Sequence, residues 1–96
     1  MPDIHSPSLD RLFEIILSLE NVEDCYRFFE DVCTIKELQD MAQRLDAAFL
    51  LDEGMNYQDI SQTVGISTAT ISGVRRCLIY GSGYRTALDK AKEKQA

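Results

Sequence analysis

The sequence has no tryptophan, two prolines, one histidine and no apolar run longer than Ala47 to Leu51. Each shortage excludes something. That run falls far short of the roughly 20 residues that span a bilayer. The Met1-Pro2-Asp3 start lacks the basic and apolar regions of a secretory leader, so a cytoplasmic location is expected. The lone His5 sits in a Pro-bounded segment, which leaves no histidine for a metal cluster or a His-activated nucleophile. Cys25, Cys33 and Cys77 are odd in number and form no C-x-x-C pair. A disulfide framework and a tetrahedral zinc site are therefore not expected, and reduced thiols acting as small core residues are. Asp and Glu are plentiful, but no paired carboxylates or nucleophile–base set stands apart from solvated helix faces, so no enzyme is expected.

What remains is the balance of one soluble globular chain: 96 residues, 45% hydrophobic and 27% charged, enough for a single domain of modest size. The formal charge is −6, which argues against nucleic acid because Lys and Arg supply much of the affinity for phosphates. The distribution weakens that objection. Residues 1 to 48 carry eleven acids against four bases, and residues 49 to 96 carry five acids against six bases. Exposed charges are screened beyond about 8–10 Å at cellular ionic strength, so an acidic half can coexist with a half that faces DNA.

Residues 1–8, with Pro2, Ser6 and Pro7, read as a flexible arm, and residues 9–96 as one helical domain. Ser8 is the expected N-cap of a first helix in which Leu9, Leu12, Phe13, Ile16 and Leu17 recur at the spacing of one helical face. Ile15 and Leu19 widen that face to an arc of roughly 200°, about twice what one core buries, so it needs a second partner. Asn21 caps a second helix in which Val22, Cys25, Tyr26, Phe29, Val32 and Cys33 again recur at helical spacing. Thr34-Ile35-Lys36-Glu37 fits a capping box for a long third helix with Ile35, Leu38, Met41, Ala42, Leu45, Ala48 and Phe49 on its apolar face, closed by Gly54. Asn56 caps a short fourth helix carrying Tyr57, Ile60 and Val64 and ended by Gly65. A fifth, capped by Ser67 or Thr68, carries Ile71, Val74 and Leu78 inward, with Cys77 as a further candidate. Gly81-Ser82-Gly83 interrupts the chain, and Tyr84 to Gln95 forms a last helix with Ala87, Leu88 and Ala91 on one side. No segment shows the period-2 alternation of a strand. The expectation is an all-α fold of about six helices.

Residues 57–76 match a helix-turn-helix. Ile60, Val64, Ile66, Ile71 and Val74 supply the apolar junction, Ser61 is small where the helices approach, and Gly65 suits a turn needing positive φ. In this arrangement the second helix presents its first turns to the major groove, and the first helix lies across the phosphates. Ser67, Thr68, Ala69, Ser72 and Gly73 then face outward, and Thr70 faces outward or along the helix junction. Hydroxyls and small methyl-bearing side chains can touch base edges, but none is a bidentate reader, so water and DNA shape are expected to share the discrimination. Arg75, Arg76, Asn56 and Gln58 are the phosphate candidates.

These residues resemble a known family. Gln43-Arg44-Leu45, Leu51-Asp52-Glu53-Gly54 and Val64-Gly65-Ile66-Ser67-Thr68-Ala69-Thr70-Ile71-Ser72 look like the Trp repressor superfamily. Leu19-Glu20-Asn21, Cys25-Tyr26-Arg27-Phe28-Phe29 and Arg76-Cys77-Leu78-Ile79-Tyr80-Gly81 point to its YerC/YecD-type branch, and the similarity spans about residues 9 to 88. The resemblance implies an intertwined homodimer in which the first and third helices of two chains interlock and two reading heads reach successive major grooves. It also implies a corepressor position flanked by two arginines. Arg44 occupies one and Gly73 the other, so the second guanidinium is absent, a tryptophan site is not expected, and any small-molecule effector is unassigned. Arg44 serves either such a ligand or a salt bridge to Asp40 or an acidic helix. Gly73 costs up to about 1 kcal/mol of helix stability relative to Ala and marks either close approach to DNA or a loosened reading helix.

The expected function is a sequence-specific DNA-binding transcription regulator, a repressor acting on double-stranded DNA as a homodimer, without cofactor, metal or membrane. The rival is a protein-interaction module that uses its acidic N-terminal half on the same helical scaffold.

Overall fold

The computed structural model describes residues 3–95, which form six α-helices and one π-helical turn, with no strand among the described residues. The order is α1 (Pro7–Ser18), α2 (Val22–Val32), α3 (Ile35–Asp52), α4 (Tyr57–Ile60), the π turn (Ser61–Gly65), α5 (Thr68–Tyr80) and α6 (Gly83–Gln95). The all-α architecture is the one the periodicities predict. The chain divides into two compact units, one ending at Ile35 and the other beginning at Lys36.

In the first unit, α1 starts earlier than expected. Its N-cap is Ser6, not Ser8: the Ser6 hydroxyl accepts from the Leu9 N–H at 3.1 Å, and Pro7 follows at the first helical position. Proline is favoured there because its missing N–H has no intrahelical acceptor to lose, so Pro7 and Ser8 belong to the helix rather than to an arm. Asn21 caps α2 as predicted, accepting from the Asp24 N–H at 2.8 Å. No residue of either helix is buried. Leu17 is 84% exposed, and Phe13, Ile15, Val22, Tyr26 and Val32 are exposed too. The cysteines are free, and they are not the core residues expected: Cys25 and Cys33 are half-buried and Cys77 is exposed. Cys25 and Cys33 lie on or beside a helix that buries nothing, and Cys77 lies off the inner face of α5.

In the second unit the C-terminal half of α3 is the post on which everything else leans. Ala47 and Ala48 are both fully buried, and two adjacent methyl side chains point to two different sides of one helix. Ala47 joins Ile60 of α4 and Ile71 of α5, with Leu50, Met55, Tyr57, Val64 and Ile66 packed around them. Ala48 joins Val74 of α5 and Leu88 of α6, with Phe49, Leu78 and Tyr84. Ile60, Ile71 and Leu88 are fully buried, which stabilises the unit by about 1.5–3 kcal/mol for each side chain. The apolar series expected on α3 is buried only at this end. Ile35, Met41 and Leu45 are exposed, because α4, α5 and α6 bury their apolar side chains against the last turns of α3.

Two local devices fix the ends. Gly54 takes φ +91°, and the Gly54 and Met55 N–H groups donate to the Leu51 and Leu50 carbonyls, which closes α3 in a Schellman arrangement. At the same end Asp52 accepts hydrogen bonds from Arg85 (2.8 Å) and Lys92 (2.6 Å) of α6. A carboxylate near a helix C-terminus is opposed by the macrodipole, and these two cations offset that repulsion. Hydrogen bonding from Arg85, then from Lys92, holds the Asp52 carboxyl down to about 2.

Candidate nucleic-acid interface

The helix-turn-helix segment is built from two caps and one glycine. Asn56 caps α4, its side-chain oxygen accepting from the Asp59 N–H at 2.9 Å. The α-helix stops after Ile60 and widens into the π turn, whereas periodicity predicts a regular helix as far as Gly65. Gly65 then takes φ +85°, a left-handed conformation that side chains with a Cβ disfavour. Ser67, extended at φ −72° and ψ 155°, caps α5 and accepts from the Thr70 N–H at 3.1 Å; of the two cap candidates it is the one used. Ile71 and Val74 face the core while Ser67, Thr68, Ala69 and Thr70 are exposed.

Thr70 stands in solvent and also along the helix junction, because its hydroxyl lies 3.0 Å from that of Ser67 and both residues line a cleft with α3. Ser72 and Gly73 are half-buried. Arg75 and Arg76 are exposed, and neither has an ion-pair partner among the described residues. The Arg76 guanidinium curls back over Gly73, 4.0 Å from where a Cβ would stand. On α4, Gln58 is exposed. Asn56 has one amide N–H committed to the Asp59 carboxylate at 3.1 Å, so the two α4 candidates are not equally available to a phosphate. Asp59, close in sequence to both, adds a negative charge that sequence reasoning overlooked.

The electrostatics divide more sharply by unit than by half of the chain. Up to Ile35 there are eight acids and two bases; from Lys36 onward there are eight of each. The whole formal charge of −6 thus belongs to the first unit, and the unit that carries α5 is neutral overall, with Arg75 and Arg76 exposed on that helix.

Between α3 and the corner lies a cleft of about 330 Å³ lined by Lys36, Asp40, Gln43, Arg44, Gly65, Ile66, Ser67 and Thr70. Asp40 pairs with Lys36 at 2.6 Å, and Arg44 has no ion-pair partner among the described residues. The alternative Arg44–Asp40 salt bridge is not formed, which leaves a guanidinium at the rim of a polar cleft. Among the described residues no group of three or more His, Cys, Asp or Glu side chains is gathered as for a metal ion, and no helix is long and apolar enough to cross a membrane.

Two hydrogen bonds at the corner had no signal in the sequence. The Ser61 hydroxyl donates to the Ile66 carbonyl at 2.6 Å, and the Gln43 side-chain amide donates to the Val64 carbonyl at 3.4 Å. The sequence pattern asks of Ser61 only that it be small.

Comparison with known proteins places this geometry. Residues 7–92 match the model of the family described as Trp repressor protein. The uncharacterized protein YerC of Bacillus subtilis (strain 168) is 53% identical over 93 residues, covering 96% of this chain and 89% of the relative. The crystal structure of a candidate Trp repressor from Staphylococcus aureus superposes with a TM-score of 0.88 at 46% identity, over 93% of this chain and 90% of that one. A TrpR-like protein from Eubacterium eligens ATCC 27750 superposes with a TM-score of 0.90 at 42% identity, over 93% of each chain. This chain belongs to the Trp repressor family.

Proposed function

We propose that the protein is a sequence-specific DNA-binding transcription regulator, a repressor that grips double-stranded DNA as a homodimer in the cytoplasm. One observation carries the reading: α5 buries Ile71 and Val74 and leaves the hydroxyl-bearing residues Ser67, Thr68 and Thr70 in solvent beside Ala69. A helix so divided has a face for its own core and a face for a groove. Ser67, Thr68, Ala69, Thr70, Ser72 and Gly73 meet base edges and nearby sugars, and Arg75, Arg76, Gln58 and Asn56 meet phosphates. Exposed apolar side chains on α1, α2 and the early turns of α3, among them Phe13, Leu17, Val32, Ile35 and Met41, support a second copy as the partner that covers them, since soluble chains rarely leave so much apolar surface open. Arg44 serves a small-molecule effector in the cleft; tryptophan is not proposed as that effector, because Gly73 stands where the resemblance places a second arginine.

Genome-wide mapping of bound sites supplies a fragment, and fluorescence anisotropy against that fragment and a scrambled one tests the reading. Arg75→Ala with Arg76→Ala removes four arginines from a dimer and should weaken binding to both fragments and lower the salt slope by about 3.6, at about 0.9 for each phosphate no longer neutralised. Equal, weak binding of the native protein to both fragments at low salt refutes specific recognition. DNA retention unchanged in the double variant, with binding to a protein partner intact, favours an interaction module on the acidic first unit.

A further inference from the structure

The corner that aims α5 is open over its glycine. Gly65 stands at φ +85° with nothing within 4 Å of the position a Cβ would take, so no side chain or backbone packs over the glycine itself. Packing of Val64 and Ile66 against the Ala47, Ile60 and Ile71 cluster sets how deep the flanking residues sit. It does not set the rotation of their peptide planes. Those planes are held by side chains: the carbonyl before the glycine accepts from Gln43 of α3, and the carbonyl after it accepts from Ser61 at the start of the π turn. The Ile66 carbonyl belongs to the same peptide as the N–H of Ser67, the cap from which α5 departs. Whatever turns that plane turns the helix.

We infer that Ser61 and Gln43 are positioning residues that fix the angle of the reading helix, through the Ile66 and Val64 carbonyls respectively. The inference rests on α5 being the DNA-reading element. The lever is long enough to matter: Ser72 lies about 9 Å from Ile66 at 1.5 Å per residue. A swing of about 10° displaces it by about 1.5 Å, well beyond the tolerance of a base-edge hydrogen bond. Phosphate contacts made by long arginines absorb such an error. Loss of the latch therefore acts on discrimination between sequences and spares non-specific affinity.

Ser61→Ala and Gln43→Met remove the two donors. Alanine is smaller than serine and a better helix former, so its effect is not steric, and Ser61→Thr restores a hydroxyl. Each variant is compared with the native protein by urea unfolding, by amide hydrogen exchange of the free protein, and by anisotropy with the mapped and scrambled fragments. Expected are faster exchange at Ser67 to Ile71 with the protection of Ala47 and Ala48 unchanged, and a ratio of specific to non-specific affinity reduced about fivefold by Ser61→Ala, as loss of one hydrogen bond gives. Ser61→Thr should recover the ratio. If native protein discriminates and Ser61→Ala discriminates equally well, the inference is overturned. If native protein prefers neither fragment, the DNA reading has failed, and the exchange data judge the latch: unchanged exchange in Ser61→Ala overturns it as well, whereas faster exchange confined to the corner retains it.

Discussion

Gly73→Ala sets stability against function at one atom. Gly73 lies inside α5 with an ordinary helical φ, since Gly54 and Gly65 are the glycines at positive φ. An added methyl would meet only the Arg76 guanidinium at 4.0 Å, the movable end of a long side chain. Inside the protein, nothing requires a glycine. The substitution should stabilise the fold by about 0.5–1 kcal/mol, which raises Tm by about 4–8 °C per kcal/mol for a chain of this size. If the glycine is kept so that the helix can press against DNA, the same methyl should weaken affinity for the mapped fragment. A tenfold loss corresponds to about 1.4 kcal/mol. Thermal unfolding and anisotropy on the same preparation measure both. A lower Tm refutes the claim that the space is open, and a higher Tm with undiminished DNA affinity refutes close approach as the reason for the glycine.

Gly65→Ala forces a Cβ into the left-handed region at φ +85° and should cost about 1–2 kcal/mol in urea unfolding, although the space around it is empty. Asp52→Asn should lower the melting temperature at neutral pH. The carboxyl of Asp52 is depressed from 3.8 to about 2, so its contribution is fully present above pH 4 and is lost as pH falls through about 2; the gap between the two melting curves should shrink across that window, and a gap undiminished at pH 2 would contradict the ion-pair account. Leu17→Glu places a charge where a side chain stands 84% exposed: it should leave a lone chain intact and, under the proposed homodimer, shift sedimentation from dimer to monomer. Ile71→Ala removes a fully buried side chain and should cost about 2–5 kcal/mol, read as a fall in the urea midpoint.

The helix count, the caps at Asn21, Asn56 and Ser67 and the glycines at positions 54 and 65 could be read without coordinates because each is a local event. A cap joins residues three apart, and a left-handed turn concerns one φ. The misplaced first cap was local too; Ser6 followed by Pro7 carried the better signal than Ser8. The outward set on α5 was equally open to reading at its first turn, since burial of Ile71 and Val74 turns the opposite side of the helix to solvent.

Chain-order patterns could not reveal which apolar face finds a neighbour. Leu45 and Ala48 share the same periodic stripe on α3, yet Leu45 is exposed and Ala48 is fully buried, because only the last turns of that helix meet α5 and α6. The same holds for pairings across long separations: Asp52 meets Arg85 and Lys92, and Gln43 meets the Val64 carbonyl. Periodicity sets the direction of each side chain about its own helix axis. Which partner waits in that direction depends on how the helices pack, and that was settled only when Ala47 and Ala48 let three other helices close around them.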